Sequence, residues 1–339
     1  MKQNDGLSPR IVTKAVLAIV GIAAALAIAY IGAQWLENRS RAPEARGDYR
    51  QRYAYDDLVE IDGVQYRKRG SLTTILLMGI DRDSGAVSTG YRNGGQADFL
   101  RLLVIDAAQK RVTQVPIDRD TMTPITILGV LGDESGVRTA QISLSHGFGD
   151  GGAQSCELTA RAVSNLLMGA PVDLYMAMDM DGISVLNDSV GGVTVTLEDD
   201  FSSLDPAMQP GTTLTLMGEQ AELFVRSRMS IGVGDNASRM KRQQTYIAQL
   251  SDKVDQLIAG DRNFIGELYD ALDGYTVTNI SRGRLINEAW TSREYERALV
   301  ELPGEHEVAA DGFMQFHIDE NALKQIVLNL FYDEVALAS

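Results

Sequence analysis

Two almost unbroken apolar runs of strand length set the terms for this chain: TTILLMGID (residues 73–81) and DFLRLLVID (98–106). A strand with one wet face alternates apolar and polar residues, whereas a continuous apolar run needs cover on both faces. RVTQVPID (111–118) follows after the turn AAQK and reads as a third strand. Helical and extended patterns then interleave. SCELTARAVSNLL (155–167) reads as a helix, PVDLYMAMD (171–179) as a strand, GISVLNDSV as a short helix stopped by Gly191 and Gly192, and VTVTL (193–197) as a strand. GEQAELFVRSRM (218–229) and ASRMKRQQTYIAQLSDKVDQLI (237–258) are helical, the second with the apolar stripe Met240, Ile247, Leu250, Val254 and Leu257. In the tail, MQFHID reads as a short strand and NALKQIVLNLFY (321–332) as an amphipathic helix. This alternation predicts an α/β fold, a mixed central sheet covered by helices on both faces.

Upstream, residues 15–33 read AVLAIVGIAAALAIAYIGA and carry no charge. A helix of about 20 residues crosses the ~30 Å hydrocarbon core of a bilayer. Lys2, Arg10 and Lys14 precede the run, which favours an inside N-terminus, and Trp35 sits where an interfacial aromatic belongs. A cleaved signal peptide and a buried core helix are the other readings of the run. The expected organisation is a cytoplasmic tail (1–14), a transmembrane helix (15–35), a stalk or linker (36–70), the main α/β domain (71–258) and a helical extension packed on it (259–339). The protein is then single-pass in the cell membrane with its main domain extracellular.

The formal net charge of −15 repels a phosphate backbone at long range, so no nucleic acid partner is expected. The single cysteine, Cys156, excludes an internal disulfide and reads as a small core residue. The three histidines, His146, His306 and His317, are scattered and make poor material for a zinc cluster or a serine triad.

Against this negative balance, bases gather in one place. Arg239, Lys241 and Arg242 occupy the first turns of the long helix, and Arg226 and Arg228 lie just before it. A helix N-terminus is already the positive end of the dipole, so bases there are disfavoured by about 0.3–1 kcal/mol each. Arg239 and Arg242 should share a face with Gln243 beside them, and the apolar stripe should lie opposite. The arrangement makes sense around a multiply charged anion, where backbone N–H groups also point outward. Pairing with Glu219, Glu222 and Asp235 is the other reading. Arg119, at a strand end between Asp118 and Asp120, is placed to join an anion site, because ligands of α/β sheets bind beyond the strand C-termini. Asp98, Asp118 and Asp120 offer carboxylates for a hard cation, and Mg²⁺ commonly takes one or two carboxylates plus phosphate oxygens. Arginines around phosphate with carboxylate-held Mg²⁺ form the equipment of phosphoryl transfer.

Taken together, ILLMGID, QAD, DRDT, DLYMAMDMDGISVLNDSVGGVTV, GEQAELFVRSR and SRMKRQQ occur in the order of the LytR-CpsA-Psr family of Gram-positive envelopes, and the chain resembles that family over roughly residues 72–258. The resemblance implies a fold whose core holds the tail of a polyprenyl phosphate lipid. It implies a phosphotransferase that moves a glycopolymer, such as a teichoic acid or capsular polysaccharide, from polyprenyl diphosphate to a hydroxyl of peptidoglycan. By motif position, Asp98, Arg119 and Asp120 are implied as catalytic, with Asp98 and Asp120 as ligands of Mg²⁺ or Mn²⁺. Arg226, Arg228, Arg239, Arg242 and Gln243 are implied as diphosphate contacts. The membrane, the lipid-linked glycopolymer and peptidoglycan are the implied partners. Three positions depart from the family pattern. Gln96 stands where the family has Arg, for which Arg92 or Arg101 can substitute; Asp118 replaces Pro; and Asn236 replaces Asp. The alternatives are a non-catalytic polyprenyl phosphate or diphosphate binder, a glycan-binding envelope protein, or a membrane-bound transcriptional attenuator.

Overall fold

A computed structural model describes residues 58–61, 63–82, 94–227 and 236–335. The expected tail and transmembrane helix, with most of the stalk, lie outside these residues, and among the described residues no helix is long and apolar enough to cross a membrane. The strands are β1 (Leu58–Ile61), β2 (Val64–Lys68), β3 (Leu72–Asp81), β4 (Gln96–Asp106), β5 (Arg111–Ile117), β6 (Met122–Leu128), β7 (Glu134–Gln141), β8 (Leu174–Asp179), β9 (Val193–Thr196), β10 (Thr213–Leu216), β11 (Thr276–Thr278), β12 (Glu296–Leu299), β13 (Gly304–Val308), β14 (Met314–Ile318) and β15 (Tyr332–Glu334). The helices are α1 (Leu144–Gly147), α2 (Ala153–Leu166), α3 (Gly182–Ser189), α4 (Glu219–Arg226), α5 (Asn236–Gly260), α6 (Phe264–Ala271), α7 (Arg282–Ser292) and α8 (Glu320–Phe331).

The three apolar runs form the middle of a six-stranded sheet in the order β11-β8-β3-β4-β5-β12. The sheet is mixed, as expected: β3 is parallel to β8 and β5 to β12, while β3–β4, β4–β5 and β8–β11 are antiparallel. Side chains that alternate along β3 and β4 face opposite layers. Leu76, Ile80, Leu100, Leu102 and Val104 pack against Cys156 and Val163 of α2 and against Val327 and Phe331 of α8. On the other face, Ile75 and Ile105 meet Leu285 of α7. Cys156 is fully buried, and burial among nearby acids pushes its thiol up to about 12, so it packs as an inert core group.

Residues beyond 258 do more than add helices. They supply both edge strands of the central sheet, β11 and β12, and β15 pairs with β2 near the start of the described fold. The helical pattern of the tail hid these strands because TVT and ERAL are short and carry little apolar signal.

Candidate active site

β3, β5 and β8 run in the same direction and end at the same edge of the sheet, in Asp81, Ile117 and Asp179. The antiparallel β4 begins at that edge with Gln96. There its pairing with β3 breaks: Phe99 lies opposite Gly79 and Ala97 opposite Ile80, so Asp98 is the extra residue of a β-bulge. A bulge re-aims a side chain without ending the strand. Gly79 makes room for it, because a Cβ there would stand 3.0 Å from the Cβ of Phe99. The bulge leaves Asp98 buried at the mouth of an apolar cavity.

The acid–base–acid stretch after β5 forms a tight turn. Thr121 N–H donates to the Asp118 carbonyl at 3.0 Å, and Asp120 N–H donates to Asp118 Oδ1 at 2.8 Å. The turn projects Arg119 back across the strand ends. Its Nη2 donates to Gln96 Oε1 at 2.6 Å, Nη1 is ion-paired with Asp98 Oδ1, and Nε lies 3.5 Å from Asp120 Oδ1. From the first turn of α5, Arg239 Nη1 reaches Asp98 Oδ2 at 3.2 Å. Asp98 is thus gripped by two guanidinium groups, and Asp98, Arg119, Asp120 and Arg239 form one network. Gln96 accepts from Arg119 and helps to hold it in place. Burial pushes the Asp120 carboxyl above the usual carboxylate range, and the neighbouring Asp118 adds to the effect against the pull of Arg119, His306 and Arg239.

Beside this network a cavity of about 630 Å³ opens between the sheet and helices α3, α5 and α6. Leu77, Phe99, Met176, Met178, Ile183 and Leu250 are among its apolar lining residues, and Asp81, Asp98, Arg226, Arg239 and Gln243 are the charged and amide groups on its wall. Those polar groups come from the strand ends, the end of α4 and the first turns of α5, so they cluster at one mouth. Arg226 is held there by Asp81 at 3.2 Å and by Glu222 at 3.0 Å. The pairing with Glu222 is the local ion pair that the sequence offered as an alternative to an anion contact.

The long helix is turned differently from expectation. Its arginine and its apolar stripe are on the same side: Arg239, Gln243, Tyr246, Ile247 and Leu250 all line the cavity. These positions follow the i, i+4 and i+7 spacing of one helical face, polar at the mouth and apolar farther in. Arg242, expected beside Arg239, points away from the cavity instead. It pairs with Asp199 at 2.7 Å, donates to the carbonyls of Phe224 and Ser227, and lies over the Phe201 ring. It ties α4 to α5. Arg228 and Arg92 lie outside the described residues. Arg101 is buried within the sheet and donates to Gln114.

Two further groups at this edge had no signal in the sequence. Gln141 Nε2 donates to Asp120 Oδ1 at 3.0 Å, and His306 Nε2 lies 2.9 Å from Asp118 Oδ2. His306 is 188 residues from its partner, and no local pattern marks it.

The Asp98 and Asp120 carboxylates meet on one guanidinium, with Asp118 adding a third negative charge against Arg119 and Arg239. That local surplus fits a divalent cation. Among the described residues no group of three or more His, Cys, Asp or Glu side chains is arranged around a metal position, so substrate oxygens and water must complete any such shell.

The fold and site define an α/β protein that presents arginine and aspartate at the mouth of an apolar cavity. The chain belongs to the LytR_cpsA_psr family, whose pattern it matches over residues 40–331. It is 23% identical over 320 residues to the polyisoprenyl-teichoic acid–peptidoglycan teichoic acid transferase TagU of Bacillus licheniformis, covering 93% of each chain. It is 27% identical over 190 residues to biofilm regulatory protein A of Streptococcus mutans, matching 53% of this chain and 44% of that protein. The crystal structure of B. subtilis TagV superposes with a TM-score of 0.60 at 20% identity, over 77% of this chain and 96% of that one.

Proposed function

We propose that this protein is a membrane-anchored, extracytoplasmic phosphotransferase that attaches a polyprenyl-diphosphate-linked glycopolymer, of the teichoic acid or capsular type, to peptidoglycan. The observation that carries this reading is the adjacency of a large apolar cavity and a guanidinium–carboxylate network at its mouth. An amphiphile with a long hydrocarbon tail and a multiply charged head matches both parts at once. The name of the TagU relative, with polyisoprenyl carrier, teichoic acid and peptidoglycan, agrees with it.

In this mechanism the lipid tail lies against Leu77, Met176, Met178 and Leu250 and excludes water from the cavity. The diphosphate sits at the mouth, where Arg226, Arg239 and Gln243 contact its oxygens. Arg119, already fixed by Gln96, Asp98 and Asp120, points at the phosphorus that is attacked and stabilises the charge that develops there. Fixed donors of this kind need no reorganisation during the reaction. Asp98 and Asp120 would hold Mg²⁺ or Mn²⁺, which would neutralise diphosphate oxygens. The acceptor hydroxyl forms the new phosphodiester, the diphosphate bond breaks, and polyprenyl phosphate leaves.

Incubation of the purified full-length chain with a lipid-linked oligosaccharide and peptidoglycan fragments should release polyprenyl phosphate in a divalent-metal-dependent manner. Arg119→Ala and Asp98→Ala should each lower the rate at least ~100-fold with folding intact. Full activity in both variants refutes the site. Tight, metal-insensitive lipid binding without product makes the protein a carrier-lipid binder.

A further inference from the structure

The hairpin β13–β14 is docked on the turn that carries Arg119 and Asp120. Phe316 N–H donates to the Asp120 carbonyl at 2.9 Å, and Gln141 Nε2 bridges Asp120 Oδ1 and the Met314 carbonyl at 3.0 and 2.7 Å. From β13, His306 presents Nε2 to Asp118 Oδ2 at 2.9 Å, and its ring rests on Phe316 with centroids 4.7 Å apart. Asp118 is nearly closed to solvent, with 6% of its side chain exposed, whereas 43% of the His306 side chain is open.

An ionised carboxylate only accepts, so Asp118 places the ring proton on Nε2 and leaves Nδ1 as the acceptor of a half-exposed imidazole. The reaction needs such an acceptor. Transfer to a hydroxyl releases a proton. The nearby carboxylates already hold partners: both oxygens of Asp98 face the guanidinium groups of Arg119 and Arg239, and Asp120 Oδ1 is engaged by Gln141 and Arg119.

We propose that His306 is the general base for the acceptor hydroxyl and that Asp118 is the positioning residue that fixes its tautomer. This rests on the phosphotransferase reading above. The hydroxyl oxygen forms a bond to phosphorus as its proton passes to His306 Nδ1. The bridging P–O bond breaks with its electron pair going to polyprenyl phosphate, and the imidazolium then returns the proton to water.

The test uses the full-length chain, a polyprenyl-diphosphate-linked oligosaccharide and soluble peptidoglycan fragments. His306→Ala should lower kcat by about 10²–10⁴-fold while donor KM stays within about threefold, the usual range for loss of a general base. Added imidazole should restore part of the rate in His306→Ala and leave the wild type unchanged. Should His306→Ala fail to fold, His306→Gln decides, because its amide can still donate to Asp118: a folded, donor-binding variant with lost kcat supports the proposal. Asp118→Asn should lower kcat in the same direction. A kcat within threefold of wild type in His306→Ala or His306→Gln overturns the assignment, as does loss in His306→Ala with no response to imidazole. Absence of transfer by the wild type itself overturns the phosphotransferase reading instead, so the two failures are distinguishable.

Discussion

The two faces of the central sheet are built by alternate residues of the same strands, and they end in opposite conditions. On one face Leu76, Leu100, Leu102 and Val104 are packed against α2 and α8. On the other, Leu77, Gly79 and Phe99 border a cavity of about 630 Å³. Protein interiors are close-packed, so an apolar space of that size left open means that α3, α5 and α6 do not fill the layer they cover. The packed face supplies the stability that the open face gives up, and substitutions on the two faces should therefore have different consequences.

The largest effect should come from the packed face. Leu102→Ala removes a fully buried side chain and should cost about 2–5 kcal/mol. That corresponds to roughly a 10 °C fall in Tm for a domain of this size, read by thermal melting, with donor affinity little changed in the folded fraction. Next, Met176→Trp on the open face should fill the cavity from β8. Donor lipid binding should weaken at least ~30-fold while Tm holds or rises, since apolar bulk added to an existing void need not strain the core. Equal losses of stability for the two variants would erase the contrast between the faces.

The smallest effect sharpens the comparison at the cavity mouth. The folded Asp120 carboxyl titrates above its unfolded value, so folding favours its protonated form. That contribution is fully present below about pH 4, near the unfolded value, and is lost as pH rises through the folded value. At neutral pH the wild type carries an ionised group that folding disfavours, and Asp120→Asn does not. Asp120→Asn should then match wild-type Tm in acid and exceed it at pH 7, while transfer is lost. A variant less stable at pH 7 than at pH 4, relative to wild type, contradicts this sign.

The packed face was largely legible in the sequence, because the apolar runs of β3 and β4 each predict a strand covered on two sides. Of the side chains the sequence pointed to at the mouth, Asp98, Arg119, Asp120 and Arg239 lie together in one network. The geometry around them was not legible. The bulge that re-aims Asp98 depends on a pairing slip opposite Gly79, which no local pattern records. Arg242 and Arg239 are three apart and equally basic, yet only one faces the cavity. The carbonyls of Phe224 and Ser227 decide that, and these belong to another helix end. Asp118 and His306 meet only because the tail hairpin folds back onto the turn.

The late strands also constrain how the molecule is made. β12 takes its place beside β5, and β15 closes against β2 through contacts such as Arg69–Asp333, 264 positions apart. The edge strands of the central sheet, β11 and β12, come from residues 276–299, and the β1–β2–β15 sheet closes later still. Pairings of such long range are slow to form. A polypeptide arranged in this way stays unfinished, and so still threadable, until its last helix has been synthesised.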